Sequence, residues 1–334
     1  MLLKKWKWLA SQASRSLIAT RLEHSAAYPR YQSLTALDDD SLIHFRENYF
    51  HPERPAVLPR GHFRQTLPAY ERWFRHASPS FSSSSSDLHV EYLREHAAEA
   101  LVPLELTRLP AQTTHNNNDA PTFARFHAPL NLFLEWIQLG EVESPTRLYL
   151  AQCQFLDIPQ VLRDDLPTPS LVSEAGRGDV YDANVWIGLP PTYTPLHRDP
   201  NPNLFVQLAG QKVVRLLPPD DGLALFASVR RSLGRSSDWE AAVFRGDEMM
   251  QGDEMVLLDH AVWKEDTAAT AKESYEAHLG PGDGLFIPKG WWHSIKGIGN
   301  GVTASVSWLF PSAICSLPCV HEYLLILIIG QLVV

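Results

Sequence analysis

Three side chains of this 334-residue sequence have the types and surroundings to hold a metal ion together. His197 and Asp199 stand two apart in Thr194-Pro-Leu-His197-Arg-Asp199-Pro-Asn-Pro-Asn203. Successive side chains of a strand point to opposite faces, so residues i and i+2 share one face. A third ligand has to come from elsewhere. His293 is the candidate, closing Gly282-Asp-Gly-Leu-Phe-Ile-Pro-Lys-Gly-Trp-Trp-His293, where an apolar strand and a Pro/Gly turn meet. Two histidines and one carboxylate on one face of an octahedral metal leave three positions open, the arrangement of non-haem Fe(II) oxygenases. Two of those positions suit a chelating 2-oxo acid and the third O2. An H-x-D pair alone is common, and the competing reading of His197 is a turn histidine beside Pro195 and Pro200.

A fourth residue sharpens the reading. Lys212 follows a turn at Gly210, and strand alternation puts it on one face with Val214 and Leu216. A lysine among apolar neighbours on a barrel wall needs a counter-charge. The carboxylate of 2-oxoglutarate remote from the metal would supply it. The alternative is a rim lysine with its head in water.

The elements that must carry these residues are strands. From about Leu148 the sequence becomes short apolar runs bounded by Pro, Gly and Asp: Val185–Leu189, Leu204–Leu208, Val213–Leu217, Gly284–Ile287 and Val302–Phe310. Such spacing predicts a sandwich or barrel. Trp186, Trp291 and Trp292 are expected in its core. Residues 23–147 read as mixed helix and loop, with polar loops at Ser82–Ser86 and Thr113–Asn118. Residues 220–278 interrupt the strands with 13 acids and 6 bases, and default to a solvated acidic loop. Because that insertion joins barrel strands, it is expected near the mouth of the site, where it would favour a basic polypeptide.

Charge and composition narrow the class. The net charge is −9, which argues against a nucleic-acid partner. Three cysteines cannot build a disulfide framework, and a reducing compartment, cytoplasm or nucleus, is expected. Residues 1–22 carry five bases and no acid, so they read as a basic first helix packing Trp6, Leu9 and Leu17, or as a mitochondrial transit peptide. The apolar stretch Tyr323–Val334 is shorter than the roughly 20 residues of a membrane-spanning helix, so no membrane partner is expected of the tail 311–334. Cys315, Cys319 and His321 lack a fourth ligand for zinc. The sequence leaves the oligomeric state open.

The run from Val185 through His197, Asp199, Asn203 and Lys212 to the prolines after Leu217 resembles the core of a JmjC-domain, cupin-like 2-oxoglutarate oxygenase, closest to the small JmjC protein hydroxylases. The likeness covers about Tyr149 to Phe310, in two blocks around the acidic insertion. It implies a mainly β fold with helices: a double-stranded β-helix (jelly-roll, cupin) barrel at 148–310 behind a helical N-terminal region. It implies Fe(II) on His197, Asp199 and His293, with Thr194, Asn203 and Lys212 holding 2-oxoglutarate. Tyr149 stands where such hydroxylases place a phenol near the far carboxylate, although a buried strand-start aromatic accounts for it equally. Ser307 takes a place where some relatives carry an asparagine. The implied reaction consumes O2 and 2-oxoglutarate, hydroxylates a protein or peptide side chain, and releases succinate and CO2. The implied alternatives are lysine demethylation and a silent binding scaffold.

Overall fold

The computed structural model describes residues 31–76, 86–108, 122–140, 146–236, 247–264 and 273–311. The readings of residues 1–22, of Cys315, Cys319 and His321, of Thr113–Asn118 and of the apolar tail lie outside them.

Two sheets face each other. The smaller one runs β1 (Gln32–Ser33), β12 (Tyr275–Leu279), β11 (Gln211–Leu217), β14 (Trp292–Ile298) and β9 (Thr192–Arg198). The larger one runs β2 (Ala56–Val57), β13 (Gly284–Ile287), β10 (Asn203–Ala209), β15 (Thr303–Leu309), β8 (Asp182–Gly188), β7 (Thr146–Gln154), β5 (Leu101–Arg108) and β6 (Thr122–Pro129). A short hairpin of β3 (Phe74–His76) and β4 (Ser86–Leu88) stands apart. Among the described residues the pairings between these strands are antiparallel except β1 with β12, and two isolated bridges, Ala36 with Val57 and Ser86 with Gly301, are parallel. From β8 to β15 every connection crosses between the sheets except β11 to β12, which carries the insertion. That is a jelly roll. At the β10–β11 corner Gly210 takes φ +66°, and a Cβ there would lie 2.6 Å from the Val302 carbonyl oxygen. Only glycine fits that turn.

Alternation sorts the side chains of these strands into two apolar layers and a barrel lining. Leu204, Val206 and Leu208 of β10 and Val306 and Trp308 of β15 face outward into the large core, shared with Leu93, Phe133 and Leu134 from N-terminal helices. Phe205, Val214, Leu216, Leu285, Ile287, Trp291 and Ile295 plug the barrel from within. Outside the small sheet, Leu196, Leu217 and Trp292 pack against Phe226, Val229, Leu257 and Leu258 of the insertion. Trp291 and Trp292 are thus core as expected, whereas Trp186 is only half-buried.

Two expectations fail here. The acidic insertion is not a solvated loop over its described residues. It forms the helices Pro219–Ser232 and Gly252–Trp263, and its last residues are barrel strand β12. The first helix has Pro219 at its N-terminal turn, Asp220 and Asp221 beside the positive end of its dipole, and Arg230 and Arg231 at the negative end. Gly222 lies so close to the Trp292 ring that a Cβ there would clash at 2.2 Å. Several of the acids are used internally: Glu254 is buried between Arg230 and Arg235, Asp259 pairs with Lys296, and Glu276 pairs with Arg215. Second, residues 23–147 are more than helix and loop. Val102, Leu104 and Leu106 alternate with Pro103, Glu105 and Thr107 in β5, and with β6 and β7 they extend the large sheet past the edge of the small one. Pro103 masks this strand to a reader of the sequence, since proline demotes a run from central strand. No helix of the described residues is long and apolar enough to cross a membrane.

Candidate metal centre in the barrel

β9 and β14 bring His197 and His293 directly opposite each other, with ring centroids 4.1 Å apart. Simple alternation would put Thr194 and His197 on opposite faces of β9. The pairing shows why they share one: Ile295 pairs with Thr194 and His293 with His197, so β9 holds one extra residue in that interval. This bulge turns Leu196 outward into the helix-covered core and His197 inward. His293 does not close the preceding strand. A turn at Pro288–Gly290 ends β13, and His293 is the second residue of β14.

Asp199 lies just past β9, where its backbone carbonyl accepts from Gly290 N–H at 3.2 Å. Ligand atoms of His197, Asp199 and His293 all lie within 4.8 Å of one another, and His293 Nε2 is 3.7 Å from Asp199 Oδ2. Each ring faces a backbone carbonyl with Nδ1: Pro195 O at 2.8 Å for His197 and Trp291 O at 3.1 Å for His293. A carbonyl only accepts, so Nδ1 carries the proton and Nε2 keeps its lone pair. Burial, and then the neighbouring His197, hold the His293 ring well below the usual histidine range, and Asp199 opposes them. A neutral imidazole with a fixed tautomer is the form that ligates a cation.

The other sequence-predicted residues line the same barrel. Asn203 opens β10, and its Nδ2 donates to Asp199 Oδ2 at 2.9 Å. Its Oδ1 is buried without a partner, as is Ser307 Oγ on β15. Thr194 is half-buried, and its carbonyl accepts from Ser294 Oγ. Tyr149 of β7 bonds the Thr192 side chain, and burial together with nearby Glu105 raises its phenol. Lys212 is 3 % exposed. Its ammonium donates to Ser305 Oγ at 2.7 Å and stands 5.3 Å over the Phe205 ring. Burial alone pushes it down to about 7, and no carboxylate among the described residues offsets that. The rim alternative for Lys212 is therefore excluded. A buried, unpaired cation on the wall that carries the histidines fits a dicarboxylate whose other end reaches a metal.

Sequence reasoning missed Asp182, Asn184 and Glu105. Asp182 and Asn184 lie i and i+2 on β8 facing the barrel, and Glu105 is buried opposite Tyr149 and paired with Arg125. A polar D-x-N before an apolar run was the available signal, but it also suits a turn.

Fold and cluster together define a jelly-roll barrel with a two-histidine, one-carboxylate centre inside it. Residues 43–314 match the family described as "Cupin-like domain", and the chain belongs to that family. It is 26% identical over 268 residues to "Lysine-specific demethylase JMJ30" of Arabidopsis thaliana, covering 80% of this chain and 53% of that one. It is 26% identical over 271 residues to "Lysine-specific demethylase 8" of Danio rerio, covering 80% and 56%. It is also 26% identical over 300 residues to "Jumonji C domain-containing protein 5" of Drosophila melanogaster, covering 85% and 64%. The chain spans roughly half to two-thirds of the length of these relatives, and the resemblance to JmjC proteins seen in its sequence holds.

Proposed function

We propose that the chain is an Fe(II)- and 2-oxoglutarate-dependent dioxygenase that hydroxylates a side chain of a protein substrate, with release of succinate and CO2. The observation that carries this reading is the buried, unpaired Lys212 ammonium within the barrel that holds His197, Asp199 and His293. His197, Asp199 and His293 are the metal ligands, and Lys212 holds the far carboxylate, with Thr194, Tyr149 and Ser307 along the same lining. Bound there, Fe(II) and 2-oxoglutarate supply the oxidising power by which O2 gives one atom to a C–H bond and the other to succinate. The carbonyls of Pro195 and Trp291 hold the two rings in the ligating tautomer, and Asn203 orients the Asp199 carboxylate. The plug of Phe205, Val214, Leu216 and Ile295 keeps water from the interior.

Demethylation of an N-methylated lysine, which begins with the same attack on a C–H bond, is the second reading, favoured by the names of two relatives. Incubation with Fe(II), 2-oxoglutarate and candidate proteins separates the readings. Hydroxylation yields a product heavier by one oxygen atom, whereas demethylation yields formaldehyde and a lighter product. Absence of succinate with every substrate and with none would refute both.

A further inference from the structure

On the outer face of the small sheet, beneath the insertion, a polar row runs towards the metal-bearing strand. Glu276 of β12 pairs with Arg215 of β11, and Arg215 with Ser294 of β14. Beyond Ser294 the row meets the bulge of β9, where Pro195 and Leu196 together oppose Ser294 alone. Ser294 follows His293 in β14, so alternation turns it to the opposite face, and it is completely buried there. A buried hydroxyl needs partners, and this one has two in series. The Trp263 indole N–H donates to Ser294 Oγ at 2.9 Å, and Ser294 Oγ donates to the Thr194 carbonyl at 2.8 Å. An indole only donates and a carbonyl only accepts, so a link between them requires a group that does both. A hydroxyl meets that requirement, and an alkyl side chain does not.

The bulge gives this link leverage over a metal ligand. Ser294 holds the Thr194 carbonyl, and with it the peptide plane that enters Pro195. The proline ring fixes the next rotation, with φ at about −65°. Little backbone freedom then remains before the Pro195 carbonyl, which takes His197 Nδ1 at 2.8 Å and sets the ligating tautomer. Trp263 is itself clamped. Two cations stand over its ring, the Arg215 guanidinium 4.6 Å and the Lys296 ammonium 4.7 Å from the centroid. Arg215 also donates to the Val262 carbonyl at 2.7 Å, and Lys296 pairs with Asp259 at 2.7 Å. The last turn of the helix Gly252–Trp263 is thereby fixed to β11 and β14, and the helix also packs on β9.

We infer that Ser294 is a positioning residue for the metal centre and that Trp263 anchors it, so that docking of the insertion helix sets the aim of His197. This rests on the metal-centre reading above. It gives the insertion a part in metal affinity, exerted from outside the barrel through Ser294 and the Thr194 carbonyl.

The test uses the full chain with Mn(II), whose affinity is read by competition with a chelating dye, and with Co(II), whose visible absorption reports ligand geometry. Ser294→Ala should weaken Mn(II) affinity about tenfold or more and shift the Co(II) bands. Ser294→Thr, which keeps the hydroxyl, should stay close to wild type. Trp263→Phe keeps a ring beneath the two cations and deletes only the N–H, so it should fall between the two. Val229→Ala, in the other insertion helix, lowers stability without touching the link. It should leave the Mn(II) affinity and Co(II) bands of the folded chain unchanged. Unchanged affinity and bands in Ser294→Ala, a Ser294→Thr chain as weak as Ser294→Ala, or an equal shift in Val229→Ala overturns the inference. If Ser294→Ala does not fold, Trp263→Phe decides, and wild-type affinity and bands in it overturn the inference. Failure of the wild-type chain to bind Mn(II) overturns instead the metal-centre reading on which it rests.

Discussion

β10 and β15 are buried on both faces, and the two faces differ in kind. Outward stand Leu204, Val206, Leu208, Val306 and Trp308, a packed apolar layer in which only the Trp308 Nε1 lacks a polar partner. Inward, beside Phe205, stand Asn203, Gln207, Ser305 and Ser307, and unpartnered polar atoms sit on three of these four polar residues. Burying a polar group without a hydrogen bond costs about 1–3 kcal/mol, so the inner face is held against a gradient that the outer face exploits. On the proposed reading, polar burial next to His197, His293 and Lys212 serves ligands, while the alternate residues of the same strands stabilise the fold.

Four substitutions sharpen or break that contrast, beginning with the largest effect. His293→Ala should remove metal binding and all turnover while the thermal midpoint stays near that of the metal-free wild type; retained Fe(II) binding in equilibrium dialysis would break the assignment. Leu204→Ala, one residue from the inner face but pointing away from it, should cost about 2–5 kcal/mol in chemical denaturation and leave the metal affinity of the folded protein intact. Asn203→Ala removes the donor to Asp199 and should weaken metal affinity by about 10–100-fold, read by competition with a chelating dye. Lys212→Met should leave the metal-free protein as stable as before or more so, because it deletes an unpaired buried cation, while 2-oxoglutarate binding falls.

The pH dependence of Lys212 carries a definite sign. Its ammonium is lowered to about 7 in the folded, ligand-free chain, against about 10.4 in an unfolded one. Between those values the unfolded chain binds more protons, so this group makes stability rise with pH above 7 and contributes no slope below it. Anion binding needs the protonated form. The dissociation constant for 2-oxoglutarate should therefore weaken by about tenfold per pH unit above 7, until the raised pKa of the complex is passed. Calorimetry at pH 6.5, 7.5 and 8.5 checks both signs, and a flat profile would contradict the role of Lys212.

The chemistry was more legible in the sequence than the geometry that delivers it. His197, Asp199, His293 and the inward Lys212 follow from residue type, spacing and period-2 alternation. The bulge at Pro195–Leu196 does not, because alternation assumes an unbroken ladder, and only the pairing with β14 reveals the extra residue that puts Thr194 and His197 on one face. The insertion misled through its acid count. Pro219, the two aspartates after it and the paired arginines at 230 and 231 were helix-terminus signals, and which acids would be paired internally depended on Arg215 and Lys296, remote in sequence. Asp182 and Asn184 offered only an ambiguous D-x-N signal, because nothing in a linear reading places β8 beside β15.

The central claim is that the inner face of the barrel is built for a metal and a dicarboxylate together. Anaerobic calorimetric titration of 2-oxoglutarate into the full chain, with and without Mn(II), for the wild type and for Lys212→Met, tests it most directly. Binding should require Mn(II) in the wild type and weaken at least tenfold in Lys212→Met. Equal binding without metal, or equal binding by Lys212→Met, would contradict it.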